Sequence, residues 1–520
     1  MSGRSRLGTG TVCTLLLFLW SIAGGCRGRA PATDVKRAPT VSTAAAPALD
    51  AAAVTATDAA DRDATVASAD AGAAARESRF ERLTLYIAGQ RVGHFVSIDR
   101  LAADGEIELV RQTSMKLRRG TTEIDLDSTT VTRIDRELRP LGYSFVRDDG
   151  QSKLSARGEV RGDQIEVTTT AGGATTARTV VLEPGTTLAA ALEVRCRQRL
   201  RDGDQFTGRA LLEELGALVD VSYRTRQTAG GFVVESTAAG IAQTEHLDAQ
   251  GRTVRIEIPA LGAYAVPEGA APPPLDTPLD VLARTVWPAP PDLPARDRLA
   301  AVTFRVEGTL ANPVPEDRRQ RVLERSARYT LVRVERAASG AAETLTEVQR
   351  RDALAETPYE AIRDPRIVAA ATRVTAGASS GDDKVAALAR FVDQTVAAKD
   401  LTRAYAPATE TLESGAGDCT EHAVLFSALA KASGIPTRLV DGVVVADGRI
   451  GYHEWVEVFV EGEGWRPVDP TFGEPIAGPN RLKLAVGSSQ PEELLRMGLS
   501  AAGALTDLKI SVVAHERLGQ

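Results

Sequence analysis

The chain has 520 residues, a formal net charge of −7 and 43% hydrophobic residues. That length accommodates two or three domains. The mild acidity, with no basic cluster interleaved with aromatics, speaks against nucleic-acid binding, and no phosphate-binding glycine loop implies a nucleotide cofactor.

In chain order, Arg4 and Arg6 precede an apolar run, TVCTLLLFLWSIA over residues 11–23, too short to span a membrane comfortably. Ala23, Gly24 and Gly25 then lead to Cys26. Residues 1–26 read as a signal peptide and resemble the bacterial lipoprotein type, which implies lipidation of Cys26 after cleavage. Ala23 stands where that pattern prefers Leu, Val or Ile, and a plain secretory signal cleaved near Gly25 or Ala30 is the alternative. Residues 27–76, rich in Ala, Thr, Asp and Pro, cannot bury enough surface to fold and read as a disordered tether. The expected location is the cell envelope, facing the periplasm, on a lipid anchor or secreted.

From residue 77 to 267 the pattern is β-rich. Residues 80–88, 91–98, 106–110, 122–127 and 164–170 alternate apolar with polar, separated by turns such as Asp149-Gly150 and Ala171-Gly172-Gly173. An antiparallel domain is expected, curved or barrel-like, with partial helix over 188–216. Residues 268–298 are proline-rich and read as a semi-stiff linker. Strands at 302–307 and 329–335 then open a second domain, 299–520. Val385, Leu388, Val392 and Val396 have helical spacing behind Asp382 and Asp383, and that helix should pack beside the next one. Residues 508–515 read as a last strand closing a sheet.

The chemistry concentrates after residue 400. Cys419 follows Asp418, a good N-cap residue, and precedes a helical run that ends at Gly434-Ile435-Pro436. A cysteine there would feel the positive end of the helix dipole, which favours the thiolate a nucleophile requires. His453 lies in a β-rich stretch, YHEWVEVFV over residues 452–460. The turn Glu461-Gly462-Glu463-Gly464 then leads to Trp465 and Asp469, so a hairpin can set Asp469 beside His453. A carboxylate there would fix the imidazole tautomer and stabilise imidazolium.

The segments Gly-Asp-Cys at 417–419, Ala-Ser-Gly-Ile-Pro-Thr-Arg at 432–438, His-Glu-Trp-Val-Glu-Val at 453–458 and Gly-Trp-Arg-Pro-Val-Asp-Pro-Thr at 464–471 resemble the transglutaminase-like superfamily, which shares a core with papain-like cysteine proteases. The fold class is then α+β: a transglutaminase-like (papain-like) catalytic core at about 357–475, preceded by a mainly antiparallel β domain. The turn at residues 88–93 resembles accessory β domains of bacterial lipoproteins of this type.

The resemblance implies Cys419 as nucleophile, His453 as general base and acid, and Asp469 as the orienting group. It also implies Trp455 and Trp465 packed around the site, and an oxyanion donor upstream of the cysteine. No Trp or Gln stands at the expected place. Tyr405 is the candidate, with a core role as its alternative. The implied function is acyl transfer or hydrolysis at amide bonds of a protein or peptide substrate: transglutaminase, peptidase or deamidase. The alternative is a non-catalytic envelope binding module of the same fold. A zinc set of Cys419, His422, His453 and Asp469 is the rival chemistry, but no CxxC or HxxxH spacing occurs, so neither metal nor cofactor is expected. Cys196 reads as a buried structural thiol, unpaired with Cys419.

Overall fold

The computed structural model describes residues 76–269 and 278–519, apart from positions 309, 311, 403 and 404. The signal segment, Cys26 and all but the last residue of the tether lie outside the described residues.

Residues 76–267 form a meander with two arms, antiparallel throughout except where the end strand Thr187–Leu188 pairs parallel with Gln205–Leu212. Strand Arg76–Ile87 lies at the centre, between Gln90–Leu101 and Ala263–Pro267. One arm runs hairpin by hairpin out to Ala174–Val181. The other runs from Ala263–Pro267 back to the short strand Thr187–Leu188. These end strands do not pair with each other, so the described sheet is open and not a closed barrel. Hairpin chemistry sets the registers. The turn after the first strand has Ala88 at φ +49 and Gly89 at φ +77. Positive φ at both central residues is the turn whose twist matches two right-twisted strands. Strand Thr122–Ile134 shows the expected alternation, burying Ile124, Leu126, Ser128, Thr130, Thr132 and Ile134. Within 188–216 only Ala189–Gln198 is helical, and Gln205–Leu212 is a strand paired with Ala217–Thr228.

The second half is built on the helix Cys419–Ala432. It packs on a sheet ordered Val286–Pro288, Arg449–Val460, Thr437–Ala446, Arg481–Gly487, with Gly464–Val468 also paired to Arg449–Val460. The helices Pro365–Thr375 and Gly381–Thr395 pack beside it, the latter through Val385, Leu388 and Val392 as their spacing implied. The final strand, Lys509–Arg517, edges a separate sheet against Leu299–Glu307.

Two features join the halves. One apolar core runs from Leu83, Phe95 and Leu126 of the meander through Leu388 to Phe426 and Val458. The segment after residue 278 also touches both: Leu279–Asp280 pairs with Leu117–Arg118 of the meander, and Val286–Pro288 pairs with Arg449–Gly451. Among the described residues no helix is long and apolar enough to cross a membrane.

Candidate active site

Cys419 occupies the first position of its helix, and the helix is fixed at both ends. At the start, the Asp418 side chain accepts the Thr420 N–H at 2.9 Å, while Glu421 accepts the Asp418 N–H at 2.8 Å, a reciprocal capping box. At the end, Gly434 adopts φ +79. Its N–H bonds the Lys431 carbonyl and the Ile435 N–H bonds that of Ala430, which satisfies two carbonyls the helix leaves open. Every residue from Cys419 to Lys431 is buried. The buried Lys431 ammonium lies 2.6 Å from Glu360, which also accepts from Ser427 and Ser489.

His453 comes from the strand Arg449–Val460, buried on both faces from Tyr452 to Phe459. Its Nε2 lies 2.7 Å from Asp469 Oδ2, and both side chains are fully enclosed. Nδ1 is buried without a full hydrogen bond. The Cys419 thiol lies close enough to act on the ring. Burial alone would push the imidazole down. The Asp469 carboxylate, then Cys419, outweigh it and raise His453 to about 9. Asp469 is in turn held by the Arg481 guanidinium at 2.7 Å and by the Thr471 N–H at 3.1 Å. Burial would raise its carboxyl, but His453 and Arg481 hold it well below the usual carboxylate range. The three residues singled out by the sequence are thus together, with the imidazole between thiol and carboxylate.

The surroundings match the sequence reading in part. Trp455 stacks beside His453 at 6.1 Å between ring centroids. Trp465 does not reach the site. It packs edge-on to Phe459 at 5.4 Å under Arg438, six residues along the strand from His453, about 20 Å away. Its place beside His453 is taken by Phe472, at 5.6 Å. Tyr405 is buried, edge-on to Tyr359, and its hydroxyl donates to Glu454 at 3.3 Å. His422 turns Nδ1 to the Asp418 carbonyl of its own helix. Burial, then Lys399, lower it to about 4, so it is neutral near pH 7. Among the described residues no group of three or more His, Cys, Asp or Glu side chains is disposed to hold a metal ion.

Several groups escaped the sequence reading. Arg481 lies on another strand, and nothing local marks it. Arg119 comes from the meander and reaches Asp418 across 299 residues of sequence. Glu421 could have been found from its position three residues after an N-cap. Asp441 and Glu454 face each other in register on adjacent strands, and together with Tyr405 they form a buried acidic cluster near Cys419. Burial, then each other's charge, push Glu454 well above the carboxylate range.

The thiol itself is 1% exposed. A cleft of about 770 Å³ lies nearby, lined by Pro290, Pro291, Arg296, Lys399, His422 and Phe472 among others; Cys419 and His453 do not line it, and it meets the site through His422 of the cysteine helix and Phe472 against the His453 ring. Cys196, the other described cysteine, is also a free thiol. It packs against Tyr223, Val234 and Leu247, and burial pushes it up to about 11.

Residues 368–470 match the family model of the transglutaminase-like superfamily. No curated protein matches the chain. Two solved structures are similar to parts of it. One is a candidate cysteine protease from Cytophaga hutchinsonii, at 16% identity over 45% of this chain and 89% of that one, with a TM-score of 0.27. The other is the periplasmic domain of TgpA from Pseudomonas aeruginosa bound to ethylmercury, at 19% identity over 36% of this chain and 88% of that one, with a TM-score of 0.26. The segment that carries Cys419, His453 and Asp469 is thus the part of the chain that matches the transglutaminase-like superfamily.

Proposed function

We propose that the chain is an exported thiol enzyme that transfers or hydrolyses acyl groups at amide bonds of proteins or peptides. The observation that carries this reading is the enclosed His453–Asp469 pair, with Nδ1 of the ring left for a thiol at a helix N-terminus.

In this reading Asp469 accepts the Nε2–H of His453, so Nδ1 is the basic nitrogen and takes the Cys419 proton. The sulfur attacks the amide carbonyl carbon, and an S–C bond forms as the C=O π pair moves to oxygen. Collapse breaks the C–N bond, and imidazolium gives its proton to the leaving amine. The thioester is then attacked by water, or by an amine, which loses its proton to His453 as the C–S bond breaks. Water yields an acid and amine yields a new amide. The cleft at Phe472 and His422 is where such a substrate would lie. The lipid anchor at Cys26 and the envelope location belong to the same proposal.

The second reading, a binding module that keeps the fold without turnover, is favoured by one observation: Cys419 is almost fully covered. The pH dependence of alkylation separates the two, read as modification of the Cys419 peptide in the full chain in detergent. The enzyme reading expects an inflection well below the free-thiol value of about 8.5, lost in His453→Ala. Slow modification with an ordinary inflection, indifferent to His453, would favour the binding module.

A further inference from the structure

We infer that Arg119, supplied by the β-rich half, is a positioning residue of the thiol site: it clamps the N-cap of the cysteine helix and offsets the acidic charge beside the nucleophile. The inference rests on the reading of Cys419 as that nucleophile.

Arg119 ends the strand Ile107–Arg119 and is 1% exposed. Its Nη1 lies 3.1 Å from Asp418 Oδ2, and Asp418 is equally buried. The two carboxylate oxygens therefore have different tasks. Oδ1 caps the helix through the N–H and hydroxyl of Thr420, at 2.9 and 2.8 Å, while Oδ2 takes the guanidinium. Arg119 is itself anchored. The Asp280 side chain accepts the Gly120 N–H at 3.1 Å, and Asp280 pairs in register with Arg118.

Acidic groups crowd Cys419 from each element packed around it. Asp418 and Glu421 share its helix, Asp441 and Glu454 come from the sheet, and the Tyr405 hydroxyl bonds Glu454. A thiolate there is stable only where cations answer these charges. His453 supplies one. His422 is neutral, and Lys399 lies at the cleft. Burial, then the Asp418 charge, push Glu421 up to about 8, and Glu454 is raised further, so both hold protons near neutrality. Asp441, raised by burial only to about 6, stays charged near neutrality across the sheet, and the Asp418 carboxylate, adjacent to Cys419 in the chain, is the charge that Arg119 meets and offsets.

The test is the pH profile of iodoacetamide alkylation at Cys419 in the full chain, comparing Arg119→Met, Arg119→Lys and the double variant Arg119→Met/Asp418→Asn. Asparagine still caps a helix but carries no charge. Arg119→Met is expected to raise the inflection by about one pH unit or more, roughly tenfold slower alkylation near neutrality. Arg119→Lys should recover part of the shift, and the double variant most of it. A folded Arg119→Met protein with an unmoved inflection overturns the inference while leaving the enzyme reading intact. An ordinary inflection in the unsubstituted chain sinks both. If Arg119→Met does not fold, the double variant decides. Folding with a low inflection supports the inference. Failure to fold, or a raised inflection, makes Arg119 a strut and nothing more.

Discussion

At the His453 ring, burial and a neighbouring carboxylate pull in opposite directions, and the carboxylate prevails. The raised value of about 9 means that the imidazolium form is favoured in the folded protein. Its stabilisation is complete below the ordinary histidine value of about 6.5 and is lost as pH rises through about 9. Asp469 has the reverse sign: its contribution holds above the ordinary aspartate value and is lost as pH falls toward its depressed one. The thiolate–imidazolium pair should therefore give an activity profile whose basic limb lies near 9. Asp469→Asn removes the charge that raises the ring, and burial then dominates. The basic limb should move below neutrality, with a rate loss on the order of 10³ or more. A pH–rate profile with the limb still near 9 would show that Asp469 does not set the ring's charge. Cys419, His453 and Asp469 could be singled out in the sequence because each sits in a local pattern: the residue after an N-cap, a β-rich run, a hairpin exit. Arg481 was not, because an arginine on a neighbouring strand carries no mark of which carboxylate it will meet.

The cysteine helix is held at its far end by a different device. Lys431 and Glu360 are 1% and 0% exposed, and Glu360 also binds Ser427 and Ser489. A buried pair of this kind adds little over an apolar equivalent, yet breaking it leaves one charge stranded. Lys431→Met should therefore destabilise the protein by about 3–5 kcal/mol in urea unfolding. The double variant Lys431→Met/Glu360→Gln should lose clearly less than the sum of the two singles, because no charge remains. Strict additivity would contradict this account. The helix limits were readable from Asp418 and Gly434, whose conformations are local matters. The region 188–216 reads as partly helical, and Ala189–Gln198 is, but the strand Gln205–Leu212 is not marked in the sequence. Gln205–Leu212 contains Gly208 and a run of buried Ala210, Leu211 and Leu212, which has neither clean alternation nor helical spacing. Its strand state comes from pairing with Ala217–Thr228, a tertiary fact.

Over the whole molecule, the sequence suggests two units joined by a proline-rich connection, while the contacts between the halves are the kind that periodicity does not carry. The meander and the cysteine helix share one apolar core. Ser152 donates to Glu410 at 2.6 Å, and Thr409 donates to the Gly172 carbonyl at 3.0 Å, both across the boundary. Arg119 crosses it to the N-cap of the cysteine helix. Leu494 and Leu495, near the C-terminus, bury in the same core as Leu261 of the meander. Separating the halves would expose this apolar surface to water and strand the Asp418 carboxylate without Arg119. The chain should therefore unfold in one calorimetric transition. Limited proteolysis should release no stable fragment that begins between residues 268 and 298, even though a connection of that composition would ordinarily be the first place cut. Two resolved transitions, or a protease-resistant piece starting in that interval whose Cys419 keeps its alkylation profile, would mean that the half carrying Cys419 stands alone and that the meander's contacts with it are dispensable.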